Sequence, residues 1–399
     1  MLDVAAQRFA DTREAILTRQ IEIAGIPAPT GREASRAGAL SRWLTRGSAE
    51  AVRRDAAGNV IARMACAHEA DNEHAPVVVM AHLDTVFDSL TPSIARREGS
   101  RIVMPGIGDN GRGLAALVAL SEALGASDIS DLRRRPIELV ATVGEEGAGN
   151  LRGARAYFDD RDATGAQEPA AVIALDGPGD ALIVHHAIAS RRLRVSFTCA
   201  GGHPWADANR ANAVHVAGSV IASVAQLASA QPTGVAVTVT RMGGGESLTS
   251  IPAHAWFDVD LRALDSATIA RLHDVIVRLA ERAVSDARLS HSGLAPKHSF
   301  ELLGDRPGGA LDVAHPLVQL AFDATRWQQG EPRSASSSSD ANIPLSRGIP
   351  AITIGAGGIG GGAHTEHEWY DDTASERGLA RALAIVVEAA KLTPELLAS

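Results

Sequence analysis

The stretch Val77-Val78-Val79-Met80-Ala81-His82-Leu83-Asp84 begins as an unbroken apolar run and ends in an imidazole and a carboxylate. A β-branched run that does not alternate with polar residues reads as a parallel strand buried on both faces. Further runs follow the same plan. Ile137 to Val143 leads into Gly144-Glu145-Glu146-Gly147, Ala171 to Leu175 into Asp176-Gly177, and Ala351 to Ile354 into a glycine-rich loop carrying His364. Between the first two runs, Gly113 to Leu124 is apolar with helical spacing. Strands alternating with helices predict an α/β catalytic domain with a central, mostly parallel sheet flanked by helices.

The middle of the chain has a different rhythm. Leu193, Val195, Phe197 and Cys199 alternate with polar residues, and so do Ala255, Phe257, Val259 and Leu261. That period belongs to half-buried strands. Ala211 to Leu227 reads as a helix and Val235 to Met242 as a strand. Ile269, Leu272, Val275, Ile276 and Leu279 share one helical face, and His298 to Leu303 closes the unit. The order β-α-β-β-α-β predicts a ferredoxin-like α+β domain. Residues 189–304 are therefore expected to form an insertion in a catalytic domain built from 1–188 and 305–399. The serine-rich segment Ser334 to Ser339 reads as a loop.

Composition narrows the classes. The 399 residues are 45% hydrophobic and 21% charged, with a formal net charge of −9. Such a balance suits a globular protein and disfavours a nucleic-acid surface. Arg133-Arg134-Arg135 is an isolated basic cluster and reads as a solvated turn. The opening MLDVAAQRFADTREAI holds no apolar core of a leader, and no apolar run approaches the roughly 20 residues of a membrane span. Cys66 and Cys199 form no paired motif. The expectation is a cytoplasmic protein without a membrane partner.

In open α/β sheets, sites form beyond the carboxyl ends of the strands. His82, Asp84, Glu145, Glu146, Asp176 and His364 all follow such ends, and Asp109 precedes a helix in Gly106-Ile107-Gly108-Asp109-Asn110-Gly111. So many carboxylates cannot ionise together uncompensated. Divalent cations resolve the conflict, and imidazole mixed with carboxylate suits zinc, with cobalt or manganese as alternatives. The set exceeds the needs of one tetrahedral ion, so two ions sharing a bridging carboxylate are expected. Gly106 to Gly111 also matches the dinucleotide pattern GxGxxG, but Pro105 precedes it and an acid stands where a pyrophosphate would lie.

Taken in order, Pro29-Thr30-Gly31-Arg32-Glu33, Asp55-Ala56-Ala57-Gly58-Asn59-Val60, MAHLDTV, GIGDNGRG, VGEEG, LDG, GGHPW, SSSDANIPLSRGIPAITIG and GGAHTEHEWYD resemble the co-catalytic zinc exopeptidases and deacylases, over nearly the whole chain. Peptidase T, carboxypeptidase G, acetylornithine deacetylase and succinyl-diaminopimelate desuccinylase belong to that family. The resemblance implies one ion on His82 and Asp176, a second on Glu146 and His364, and Asp109 bridging them with a cis peptide to Asn110. It implies Asp84 orienting His82, and Glu145 as the general base that passes a proton from metal-activated water to the leaving amine.

The inserted domain resembles the family's lid and dimerisation domain, which implies a homodimer. His203, in Gly201-Gly202-His203, matches a histidine that stabilises the tetrahedral oxyanion, and Pro204 after it departs from the commoner small or hydroxyl residue. Asn212, Arg262 and Asp340 are substrate-binding candidates; Arg262 reads equally as an ion-pair partner of Asp260 or Asp258. Asp at position 176 leans toward peptidase T-like aminopeptidases and dipeptidases rather than N-acyl-amino-acid deacylases. A binding protein of the same shape without catalysis is the alternative from another class.

Overall fold

The computed structural model describes residues 2–91, 93–291 and 295–392. It divides into two compact units: residues 1–187 with 310–399, and residues 188–309.

In the first unit, Ile137–Thr142, Val77–His82, Ala171–Leu175 and Ala351–Ile354 lie side by side and parallel. Ala51–Arg54 and Val60–Met64 extend one edge antiparallel, and Leu182–Ala187 pairs antiparallel with Ala351–Ile354 at the other. The apolar runs do not alternate because both faces are covered. Val77, Val79 and Ala81 pack with helix Gly111–Leu124 and helix Ser375–Ala389, while Val78 and Met80 pack with Tyr157 and Phe158 of helix Arg152–Thr164. This is the expected α/β sheet between helices.

Two local expectations fail. Arg333–Ser337 is a strand rather than loop, because parallel pairing with Leu182–Ala187 supplies its backbone partners. Arg133 and Arg135 are buried rather than solvated. Arg133 donates to the Met64 and Ala65 carbonyls, and Arg135 to those of Ala75 and Leu392. Carbonyl partners of this kind offset much of the cost of burying a guanidinium group.

The second unit is an antiparallel sheet in the order Ala236–Gly244, His254–Ala263, Ala189–Thr198, Lys297–Arg306. With helices Ala213–Ser229 and Ser266–Ser290 it is the expected ferredoxin-like arrangement. Leu193, Val195, Phe197, Phe257 and Leu261 share one core with Val216, Val220, Leu272 and Ile276. The polar face carries cross-strand ion pairs, Arg194 Nε to Asp258 Oδ1 at 2.8 Å and Arg192 Nε to Asp260 Oδ2 at 3.2 Å.

Candidate metal centre

The parallel strands deliver the ligand candidates to one edge of the sheet in the first unit. His82 ends its strand beside Thr142, Asp176 follows Ala171–Leu175, and Glu145 and Glu146 lie just beyond Ile137–Thr142. Asn110 caps helix Gly111–Leu124 through its side-chain oxygen, which accepts from Gly113 N at 3.1 Å and Gly177 N at 3.2 Å. Its amide nitrogen donates to Leu175 O at 2.9 Å. Asn110 thereby joins the Asp109 and Asp176 loops. A Cβ at position 113 would stand 2.2 Å from Asn110 Oδ1, so glycine is required there. The Asp109-Asn110 peptide is cis, as the resemblance implies. His364 has φ 64, a left-handed conformation costing a non-glycine residue about 1–3 kcal/mol, of the kind that clusters at functional sites.

Asp109 spans the centre. Its Oδ1 lies 3.0 Å from His82 Nε2, and its Oδ2 lies 3.0 Å from His364 Nε2. Asp176 Oδ1 is 3.8 Å from His82 Nε2, and Glu146 Oε1 is 2.9 Å from His364 Nε2. Among the described residues, His82, Asp109 and Glu146 bring ligand atoms within 4.8 Å of one another. Asp109 Oδ1 is buried and accepts no well-formed hydrogen bond despite its nearness to His82. Buried oxygens are rarely left so. An orphaned carboxylate oxygen among nitrogen and oxygen donors fits a divalent cation.

Electrostatics agree with a gathered anionic set. His364 is raised to about 9, chiefly by its hydrogen bond to Asp109. Burial opposes the charging of His82, yet the facing carboxylates of Asp109, Asp176 and Asp84 raise it well above the ordinary value. Burial raises Glu146. Burial would raise Asp109, but the two histidines facing its oxygens outweigh that and lower it.

Asp84 lies beside His82 and also reaches the Glu145-Glu146 turn. The atom nearest His82 Nδ1 is the Asp84 main-chain oxygen, at 3.1 Å, with the carboxylate at 3.6 Å. The carboxylate also accepts Glu145 N and Glu146 N, both at 2.9 Å, and Thr30 Oγ1 at 2.8 Å. Burial would raise Asp84, but His82 and these donors hold it down at about 2. Glu145 itself is buried, next in the chain to Glu146. Asp340 is buried too, accepting Thr142 Oγ1 at 2.5 Å, and burial raises its pKa to about 6.

The candidates in the second unit are described there alone. His203 Nδ1 accepts main-chain N–H groups from Trp205 and Ala206, both at 3.2 Å, which leaves Nε2 to carry the proton as a donor. Asn212 caps helix Ala213–Ser229 by accepting from Val214 N at 2.9 Å. Arg262 Nε pairs with Asp260 Oδ1 at 2.9 Å, so its ion-pair reading describes this conformation.

Sequence reasoning missed Glu368. Its buried carboxylate accepts Gly106 N at 2.7 Å, Gly108 N at 2.8 Å and Asp109 N at 2.7 Å. Burial pushes its pKa up, while these donors favour the ionised form. Its position in GGAHTEHEWYD, four residues after His364, was the available signal. The same contacts close the dinucleotide reading, since the loop N–H groups that would cradle phosphates are already engaged. The preceding strand, Arg101–Val103, also lies in a separate small sheet.

A hollow of about 300 Å³ opens beside the ligands, lined by Asp109, Asp176, Pro178, Gly360, Gly361 and Trp369 among others. A larger one of about 460 Å³ lies at the opposite strand ends between Arg135 and Pro350 and contains none of the ligand set. Among the described residues, no helix is long and apolar enough to cross a membrane.

Known structures share this fold. A tripeptidase from Staphylococcus aureus superposes with a TM-score of 0.78 at 19% identity, covering 94% of this chain and 98% of its own. The aminopeptidase PepT from Bacillus cereus gives 0.74 at 21%, covering 94% and 98%. A dinuclear metal-binding peptidase of the M20 family from Bacillus subtilis gives 0.70 at 15%, covering 98% and 100%. A sequence search of curated proteins finds no match. At these identities the likeness establishes the fold, while a family model matches residues 78–391, well over half of the sequence, from the strand of His82 past the loop of His364. This chain belongs to peptidase family M20/M25/M40, a family of hydrolases.

Proposed function

We propose that the protein is a dinuclear metal-dependent exopeptidase that cleaves an amide bond in a small peptide, as an aminopeptidase or dipeptidase. The observation that carries this reading is Asp109, whose two oxygens each face one histidine, with Asp176 near the first and Glu146 beside the second. His82 and Asp176 would hold one ion and Glu146 and His364 the other, with Asp109 bridging. Zinc suits the mixture of imidazole and carboxylate, with cobalt or manganese as alternatives. Bound there, the ions would polarise the scissile carbonyl and acidify water.

The chain's own groups do the rest. Glu145 takes the proton from the attacking water and delivers it to the departing amine. Asp84 fixes the Glu145-Glu146 backbone through two N–H acceptances. His203, with its acceptor nitrogen occupied, is the proposed donor to the oxyanion. Asn212, Arg262 and Asp340 remain the proposed substrate contacts, Arg262 requiring release from Asp260.

Peptidase action is preferred over N-acyl-amino-acid deacylation because an aspartate occupies position 176. A cytoplasmic homodimer through the inserted domain is part of the same proposal. The strand Ala236–Gly244, paired on one side only among the described residues, supports an association through that edge. Elemental analysis, chelation and metal add-back, assayed on di- and tripeptides beside N-acyl amino acids, tests the reading. About two ions per chain and restored peptide cleavage are expected. Cleavage of acylated amino acids alone would make it a deacylase, and no turnover with any of the three metals would make it a binding protein.

A further inference from the structure

Glu368 joins the two loops that carry Asp109 and His364. Its side chain receives N–H groups from Gly106, Gly108 and Asp109, and its main-chain oxygen receives that of Met104 at 2.8 Å. Its own N–H donates to Thr365 O at 3.1 Å, one residue beyond His364. Five contacts through one residue thus tie segment 104–109 to the turn that follows His364. Glu368 is only 2% exposed, and the donors to its carboxylate among the described residues are main-chain N–H groups rather than a lysine or arginine. A buried carboxylate without a cation is costly, so its retention needs a reason that a neutral side chain would not serve.

The hydrogen-bond pattern supplies one. Oε1 accepts Gly108 N and Asp109 N, and Oε2 accepts Gly106 N, so donors approach both oxygens. Glutamine has the same shape but one acceptor oxygen. Whichever way its amide turned, an NH₂ group would face at least one main-chain N–H. The loop also makes room for this acid: a Cβ at Gly108 would stand 3.0 Å from Glu368 Oε1.

We propose that Glu368 is a positioning residue of the metal centre, setting the Asp109 carboxylate against His364 so that the bridging geometry exists before metal arrives. The proposal rests on the dinuclear reading above. Glu368 acts through the Asp109 main chain rather than as one of the proposed ligands. Its removal therefore weakens ion binding while leaving the ligand list intact, as loss of groups that orient ligands does in other metal sites.

The test uses the full chain, stripped of metal and titrated with zinc against a chromophoric chelator of known affinity. Circular dichroism and thermal unfolding of the stripped protein serve as fold controls. Glu368→Gln is expected to keep the wild-type spectrum and a cooperative transition, yet to bind zinc about 10–100-fold more weakly at one or both sites. Gly108→Ala disturbs the same contact from the loop side and should weaken zinc in the same direction. It is also the deciding variant if Glu368→Gln fails to fold. Wild-type zinc affinity in either folded variant overturns the proposal while leaving the two-ion reading intact. A wild-type chain that takes up no zinc, cobalt or manganese removes that reading, and the proposal with it.

Discussion

The Asp84 carboxylate accepts the main-chain N–H of Glu145 at 2.9 Å, so the acid behind His82 holds the proposed base in place. Its other oxygen holds Glu146 N at 2.9 Å. Asparagine would offer one acceptor for two donors that arrive on separate oxygens. Asp84→Asn is accordingly expected to lower kcat about 10–100-fold with metal content preserved. Parallel turnover assays and elemental analysis check this, and loss of ions in proportion to activity would return Asp84 to the role of orienting His82.

Glu145→Gln removes the base and keeps the volume. Turnover should fall by about 10²–10⁴, the usual contribution of a positioned general base, with zinc content near wild type. Loss of both ions together would make Glu145 a ligand instead.

Asp109→Ala deletes the one carboxylate that faces both histidines. Stoichiometry measured by elemental analysis should drop from about two ions to one or fewer. Asp176→Ala should spare the His364 site, because its carboxylate lies near His82 alone in the ligand pairs. Retention of two ions by the Asp109 variant would refute the bridge.

The metal-stripped protein should lose stability as pH rises from about 6.5 to 9. His364 is raised to about 9 by Asp109, above the 6.5 of the free side chain. A group whose folded pKa is raised contributes fully below the unfolded value and loses that contribution through the folded one. His364→Ala should flatten this slope in thermal melts across the range. Because the same proton must leave for metal to bind, zinc affinity should climb over the same window.

Asp340→Asn should stabilise the stripped protein at pH 7. Burial raises Asp340 to about 6 from 3.8, so the folded chain favours the protonated form and loses stability as pH rises between those values. Asparagine can still accept from Thr142 and carries no charge, so a gain on the order of 2 kcal/mol is expected. Urea unfolding should show the gain at pH 7 and little of it below pH 4. A loss at pH 7 would mean that the charge is used in the fold.

The sheet and its ligands were legible because they are written in consecutive residues. A run such as Val77 to Met80 announces its burial, and the polar residue at its end announces the edge of the sheet. Asp109 was legible through its place before a helix and the resemblance around it. Glu368 was not, since what distinguishes it is three N–H groups located some 260 positions earlier in the chain. Arg133 and Arg135 misled for a related reason: local composition suggests water, while carbonyls of Met64, Ala75 and Leu392 receive them. Ser334 to Ser337 lacks apolar character because its strand lies off the main path of the sheet, paired with Leu182–Ala187.

The position of Ala351–Ile354 has a consequence for how the protein comes into being. This late strand sits between Ala171–Leu175 and Leu182–Ala187, both made far earlier. During synthesis those earlier segments must wait with a gap between them, and contacts so distant in sequence form slowly. The same late segment brings His364, and Glu368 soon after. A growing chain therefore holds His82, Asp109, Glu146 and Asp176 long before it can complete the second half of the centre. The expected result is a built-in delay, in which hydrolytic power appears only once the last part of the sheet has slotted home.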